Sequence, residues 1–74
     1  MNDNDDFIPG TQINKPAVKL VGTDGNAYAL MGKVQRGLRQ AGAPTEVVSA
    51  FMDEAMSGDY NHLLSTCMKY VDVS

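Results

Sequence analysis

The fold is decided by residues 27–42, which read AYALMGKVQRGLRQAG. Apolar residues recur there at the spacing of one helix face. They are Leu30, Met31, Val34, Leu38 and Ala41. The other face carries Lys33, Arg36 and Arg39. Gly42, followed by Pro44, is typical of a helix end. The stretch therefore predicts an amphipathic helix with a basic outer face.

Two more helical patterns follow this one. Their apolar stripes are Val47, Val48, Phe51, Ala55 and Met56 in the second, and Tyr60, Leu63, Leu64, Cys67 and Val71 in the third. Thr45 is predicted to cap the second helix and Asp59 the third, because both side chains accept hydrogen bonds from free amides at a helix start. Residues 70–73 alternate in polarity and are compatible with an extended end.

A short strand is predicted before the first helix. Residues 17–21, AVKLV, contain β-branched residues and are bounded by proline and glycine. Asp24-Gly25 is the strongest turn signal in the loop that follows. Residues 26–28 then form either a second strand or, as we favour, the helix start, with Asn26 as cap. The predicted fold is α+β and mostly α: a short N-terminal β-strand or hairpin followed by three amphipathic helices.

With 74 residues, the chain has room for one domain. We expect residues 1–16 to form a disordered or loosely docked acidic tail, and residues 17–74 to form a single βααα domain. The lone strand needs a partner for its backbone groups. Residues 26–28, residues 70–73, the N-terminal arm and the same strand of a second copy are all candidates. The small core and this strand together predict a homo-oligomer, a dimer or higher.

Composition argues against several classes of function. Residues 15–42 carry a charge of +4, whereas residues 1–14 carry −3 and residues 43–74 carry −4, so the net charge of −3 disfavours general duplex DNA binding. No segment approaches the ~20 apolar residues of a membrane span. One cysteine and one histidine cannot supply the about four ligands of a structural zinc site. We expect neither a metal nor another cofactor.

No pair of side chains is spaced for catalysis. His62 and Cys67 lie about 140° apart around the third helix, given 100° per residue. Asp53 and Glu54 point to different sides of the second helix, so they do not form a facing carboxylate pair. The sequence therefore predicts a protein that binds a partner and is not an enzyme.

The candidate binding site lies on the first helix and the loop before it. Gly37 falls at the edge of the apolar stripe, where it allows close packing. Gly32 falls on the opposite side between Arg36 and Arg39, where packing within the monomer does not explain it. The plainer alternative is a solvated basic face that happens to include a glycine. The binding hypothesis assigns Gly32, Lys33, Arg36 and Arg39 to contacts with a ligand or a partner.

The loop before the helix suggests a weaker form of the same site. Glycines ahead of a helix start are also found in phosphate-binding loops. Residues 22–26 lack the Gly-Lys-Ser/Thr ending of such loops, and the Asp24 carboxylate repels phosphate. A simple tight turn is the alternative. In the combined hypothesis, Asp24, Gly25 and Asn26 join the basic helix, and two subunits clasp a phosphorylated small molecule.

Two segments resemble small accessory proteins of tailed bacteriophages. They are DGNAYALMG at residues 24–32 and SGDYNHLL at residues 57–64, and the similarity extends over residues 17–73. The resemblance brings no catalytic residues. It implies a phage gene product that acts in the cytoplasm of an infected bacterium.

Small phage proteins of this kind often block a host enzyme or an antiviral defence protein by direct binding, and this is the function we expect. The alternative is a sponge that sequesters a nucleotide immune signal between subunits. The ligand would be a cyclic nucleotide or an ADP-ribose derivative, with Lys33, Arg36 and Arg39 as charge partners. A nucleic-acid partner is disfavoured, since no helix is rich in Arg, Asn and Gln.

Overall fold

The computed structural model describes residues 6–20 and 26–73. Helix α1 spans Ala27–Gln40, α2 spans Thr45–Ala55 and α3 spans Tyr60–Tyr70. Strand β1 (Ala17–Val18) precedes the helices, and strand β2 (Asp72–Val73) follows them. The predicted α+β, mostly α fold with three amphipathic helices is confirmed.

Side chains cap the N-termini of α1 and α3, but not that of α2. Asn26 caps α1, since its Oδ1 accepts a hydrogen bond of 2.9 Å from the Tyr28 amide. Asp59 caps α3 in the same way, through the His62 amide at 2.9 Å. The predicted Thr45 cap is wrong. Pro44 holds the cap position with extended backbone and accepts at its carbonyl from the Val48 amide at 3.1 Å, so Thr45 is already helical.

Strand β1 is paired within the chain. It runs parallel to β2, with Ala17 opposite Asp72 and Val18 opposite Val73. The Asp72 amide extends the pairing by donating to the Pro16 carbonyl at 3.0 Å. Of the candidate partners, the C-terminal residues are therefore the ones used, although the strand is shorter than predicted. This pairing removes the unsatisfied strand as an argument for a homo-oligomer.

Residues 6–16 are packed against the helices, which corrects the expectation that residues 1–16 form a disordered or loosely docked tail. Ile8 is 0% exposed and belongs to the core. Its amide donates to the Ile13 carbonyl at 2.8 Å, and an antiparallel bridge joins Phe7 to Asn14. The segment buries a complete isoleucine side chain, a gain of about 2 kcal/mol that offsets part of the entropy lost on ordering it. Residues 1–5 lie outside the described residues.

The core is built mainly from the predicted stripes. Leu30, Met31, Val34 and Leu38 of α1 are buried, and so are Val48, Phe51, Ala55, Leu63, Cys67 and Val71. Phe51 and Tyr70 meet edge to face, with ring centroids 5.3 Å apart. Met56 and Tyr60 differ from the prediction, since both are exposed. Met56 follows the last residue of α2 and Tyr60 begins α3, so both lie beyond the stretch where the two helices pack.

None of the helices in residues 6–20 and 26–73 has the length and the apolar composition that a bilayer crossing requires.

The burial of Ile8 predicts that the N-terminal segment contributes to stability. Ile8→Ala should lower the free energy of unfolding by about 2–5 kcal/mol, because the removed atoms leave a cavity in the core. Ile13→Ala is the matched control and should cost less, since Ile13 is only partly buried. Urea unfolding followed by circular dichroism measures both. Equal, small losses would mean that residues 6–16 do not belong to the folded unit.

Candidate binding surfaces

A groove of about 590 Å³ runs between β1 and the outer face of α1. We call it the basic groove. Its polar lining consists of Lys19, Lys33, Arg36 and Gln40, and its floor is formed by small residues that include Gly32. Lys19 was not among the predicted site residues. The signal that identifies it is the packing of β1 across α1, which the sequence did not reveal.

The described part of the basic groove's lining carries charge of one sign. Among residues 6–20 and 26–73, this lining includes three cations and no carboxylate. The Lys33 ammonium donates to the Lys19 carbonyl over 3.4 Å, which holds it near the end of the strand. Within residues 6–20 and 26–73, Lys19 and Arg36 form no ion pair. Lys69, by contrast, forms one with Glu54, with 3.2 Å between the Nζ and Oε2 atoms. The groove is therefore a surface of positive potential, suited to an anion.

The two glycines inside α1 have different surroundings. A Cβ at Gly37 would lie 2.7 Å from the Cγ2 atom of Val18, so this glycine allows β1 to lie against the helix. The predicted packing role of Gly37 is thus present, and it faces the strand. A Cβ at Gly32 would meet no heavy atom of the described residues within 4 Å. Gly32 leaves the helix backbone open at the floor of the basic groove.

The predicted site residues do not all converge. Gly32, Lys33 and Arg36 line the basic groove, whereas Arg39 lines a separate pocket of about 180 Å³ with Asp53 of α2. The Asn26 side chain accepts the amide of Tyr28, so it serves as the cap of α1. Asp24 and Gly25, which the combined hypothesis adds to the site, lie outside the described residues, as do residues 22 and 23 of the same loop.

A second candidate surface lies where the helix ends meet. Tyr28, Met56 and Tyr60 are 78%, 56% and 41% exposed and surround an apolar groove of about 410 Å³. We call these three residues the aromatic patch. Met31 and Leu63 line the groove beneath them. Sequence reasoning missed this surface because Met56 and Tyr60 fit the apolar stripes. Their positions beside the helix boundaries were the available signal.

Ser57 and His62 form a contact that the sequence spacing did not suggest. The Ser57 Oγ lies 3.2 Å from the His62 Nε2, and both atoms lie within 3.0 Å of the Glu54 carbonyl oxygen. The Ser57 hydroxyl donates to that carbonyl at 2.7 Å, and the Nε2 contact to the same acceptor requires a proton on Nε2. A protonated Nε2 cannot take a proton from serine. The arrangement caps the end of α2 and is unsuited to activating a nucleophile.

Cys67 is a core residue. It is 0% exposed, and burial raises the pKa of its thiol, with a backbone hydrogen bond acting weakly in the opposite direction. A buried thiol with a raised pKa has little reactive thiolate near neutral pH. Across the described ranges, no three His, Cys, Asp or Glu side chains are grouped to hold a metal ion.

The surroundings of the two α1 glycines predict opposite effects of the same substitution. Gly32→Ala should raise the free energy of unfolding by up to about 1 kcal/mol, because alanine is the better helix former and the space above it is open. Gly37→Ala should lower the free energy of unfolding. The new Cβ would clash with Val18, and moving the two apart costs about 1–3 kcal/mol, which exceeds the gain from alanine's better helix propensity. Thermal and urea unfolding test the pair. Equal gains for both variants would contradict the close contact with β1.

Burial of Cys67 predicts slow alkylation. At pH 8, iodoacetamide should modify it at least about a hundredfold more slowly than free cysteine, because the thiol must first be exposed by opening of the domain. Urea just below the unfolding midpoint should restore a fast rate. A cysteine placed at the neighbouring exposed position, Met68→Cys, is the control and should react quickly in the folded state. Fast modification of Cys67 in the wild type would contradict its place in the core.

Comparison with protein families, with characterised proteins and with solved structures finds no match to this chain. The basic groove and the aromatic patch are therefore interpreted from their own residues.

Proposed function

We propose that this protein is a small, non-enzymatic phage accessory protein that inhibits a host enzyme or an antiviral defence protein by direct binding. The observation that carries the proposal is the aromatic patch. Tyr28, Met56 and Tyr60 are exposed together around one apolar groove. The phage context rests on the resemblance at residues 24–32 and 57–64, and places the action in the cytoplasm of the infected host.

The composition of the aromatic patch suits a protein partner. Single exposed apolar side chains are ordinary, but grouped ones mark interaction surfaces. Tyrosine is enriched in protein interfaces because it buries a large area at low conformational cost and keeps a polar tip. Methionine adapts its shape to a partner. Ser57 and His62 both contact the Glu54 carbonyl oxygen at the end of α2, an arrangement that does not suit a nucleophile–base pair.

Self-association remains part of the proposal with narrower support. The strand argument no longer applies, because β1 pairs with β2 of the same chain. The small size of the core still favours a homo-oligomer, since chains of this length often gain stability by association. The mass in solution from sedimentation equilibrium tests this directly, and a mass of one chain at high micromolar concentration would contradict it.

A second candidate function, sequestration of a phosphorylated nucleotide, is favoured by the basic groove. The groove has three cations and an open helix backbone, which are features that anionic ligands use. We proposed from the sequence that such a ligand lies between subunits. The groove lies between β1 and α1 of a single chain, which supports binding without a second subunit.

The aromatic patch predicts a position-specific loss of partner binding. Met56→Lys should weaken capture of a host protein by at least about tenfold, because it places a charge in an apolar contact. Met68→Lys is the matched control, since Met68 is 57% exposed but lies outside the aromatic patch. Each variant is immobilised on a resin and incubated with bacterial lysate, and the proteins that it captures are quantified.

An enzyme captured by the wild type and by Met68→Lys, but not by Met56→Lys, should lose activity when wild-type protein is added. Capture unaffected by Met56→Lys, or no loss of activity in the captured enzyme, would contradict inhibition through this surface.

A further inference from the structure

We infer that the partner bound by the aromatic patch presents a basic amphipathic helix. Apolar side chains of that helix enter the groove between Tyr28, Met56 and Tyr60, and a lysine or arginine beside them pairs with Asp59. This partner is the host protein of the proposed function, on which the inference rests.

The elements around the groove favour a helical partner. Tyr28 and Met31 come from α1, Tyr60 and Leu63 come from α3, and the end of α2 with the turn after it completes the described lining. Each pair is spaced three residues apart, so its members lie on one face of their helix. None of the lining residues belongs to β1 or β2, so a partner cannot bind here by extending the described sheet. Side chains spaced three or four apart on a partner helix fit two such pairs.

The groove has a firm floor and an adaptable rim. Met31 and Leu63 are buried beneath it and belong to the core. The exposed Met56 side chain at the rim is flexible and adjusts to the shape of a bound side chain. The volume of about 410 Å³ lies near the lower end of the ~300–1,000 Å³ typical of concave sites. It therefore suits a few anchoring side chains of a partner.

Asp59 gives the rim a negative charge. Among the described residues that line the groove, Asp59 alone is charged at neutral pH. Its Oδ1 accepts from the His62 amide at 2.9 Å, and its Oδ2 makes no ion pair within residues 6–20 and 26–73. The faces of the tyrosine rings at the same groove also attract cations. An arginine or lysine beside the apolar anchors of the partner would use both attractions.

The charge of the surrounding chain has the same sign. Residues 43–74, which include α2 and α3, carry −4. The ionisable side chains outside the described ranges are Asp3, Asp5 and Asp24, all of them carboxylates, so they add no positive side chain. A basic protein segment is attracted to this end of the molecule, whereas nucleic acid and anionic membranes are repelled.

The first test is a selection from random peptides by mRNA display. The peptides have about 16 residues, enough for about four helical turns. They are selected on immobilised wild-type protein, and those that also bind Met56→Lys are removed. The enriched peptides should have apolar residues three or four positions apart and an excess of lysine and arginine. Enrichment of acidic peptides, or of none that distinguishes Met56→Lys from wild type, would overturn the inference.

Two isosteric variants test the role of Asp59. Asp59→Asn removes the charge but keeps the cap of α3, because asparagine caps helices as well as aspartate does. It should weaken the best peptide at least about threefold, and less at high salt. Asp53→Asn makes the same change in the separate pocket with Arg39 and should leave the affinity within about twofold. Equal losses for both variants would show general charge attraction and contradict the contact.

A double-mutant cycle identifies the cation of the peptide. Each lysine or arginine is replaced by glutamine in turn, and binding is measured to wild type and to Asp59→Asn. One replacement should lose most of its effect in the Asp59→Asn background, because the two groups contact each other. Additive effects at every position would mean that Asp59 pairs with no cation of the peptide, contrary to the inference.

Host-protein capture separates this inference from the proposed function. Both Met56→Lys and Asp59→Asn should reduce capture from lysate. If Met56→Lys abolishes capture and Asp59→Asn leaves it unchanged, inhibition through the aromatic patch stands and the basic helix is wrong. If neither variant changes capture, the proposed function is wrong as well. A wild-type dimer that Met56→Lys converts to a monomer in sedimentation equilibrium would place a second copy in the groove and overturn the inference.

Discussion

The contact between Val18 and Gly37 positions most of what surrounds α1. A side chain at Gly37 would lie 2.7 Å from the Val18 methyl group, so only a residue without a Cβ lets β1 lie against the helix without displacement. Val18 is itself buried and paired with Val73 of β2. The contact thus fixes the strand on α1 and, through β2, the end of α3. Parallel pairing of two-residue strands contributes little by itself, and the packing of Val18 supports it.

Helix α1 presents both candidate surfaces as well as a buried stripe. Gly32, Lys33 and Arg36 line the basic groove, while Tyr28 and Met31 contribute to the groove of the aromatic patch. A helix of 14 residues has enough circumference for this because successive residues advance by about 100°. The division explains the composition of the stretch, which combines apolar residues, cations and two glycines. Each set faces different surroundings, so one surface can be changed without altering the other.

The sequence predicted what depends on local chemistry. The Asn26 and Asp59 caps, the apolar stripe of α1 and the packing role of Gly37 follow from helix periodicity and from amide donors at helix starts. It did not predict the burial of Ile8, which depends on a core built from residues that are far from it in sequence. The partner of β1 was left open for the same reason, since residues 17 and 72 are far apart in sequence.

The candidate site shows the same division between local and distant information. Lys33, Arg36 and Gly32 were found because they lie within one turn or so of one another on α1. Lys19 was missed because it joins them only when β1 crosses the helix, and Arg39 was included because charge alone does not distinguish two neighbouring grooves. The exposed Met56 and Tyr60 resembled core residues since hydropathy does not reveal where a helix ends.

Gly32 gives the clearest reason to regard the basic groove as a site. In a helix interior, glycine costs up to about 1 kcal/mol relative to alanine, a large fraction of the margin available to a domain of this size. Gly37 compensates for that cost by admitting Val18, but no contact among the described residues does so for Gly32. Alanine at position 32 would be more stable and would still leave Lys33 and Arg36 in place. What alanine would remove is close access to the helix backbone in the basic groove, and the proposed binding of an anionic ligand would use that access.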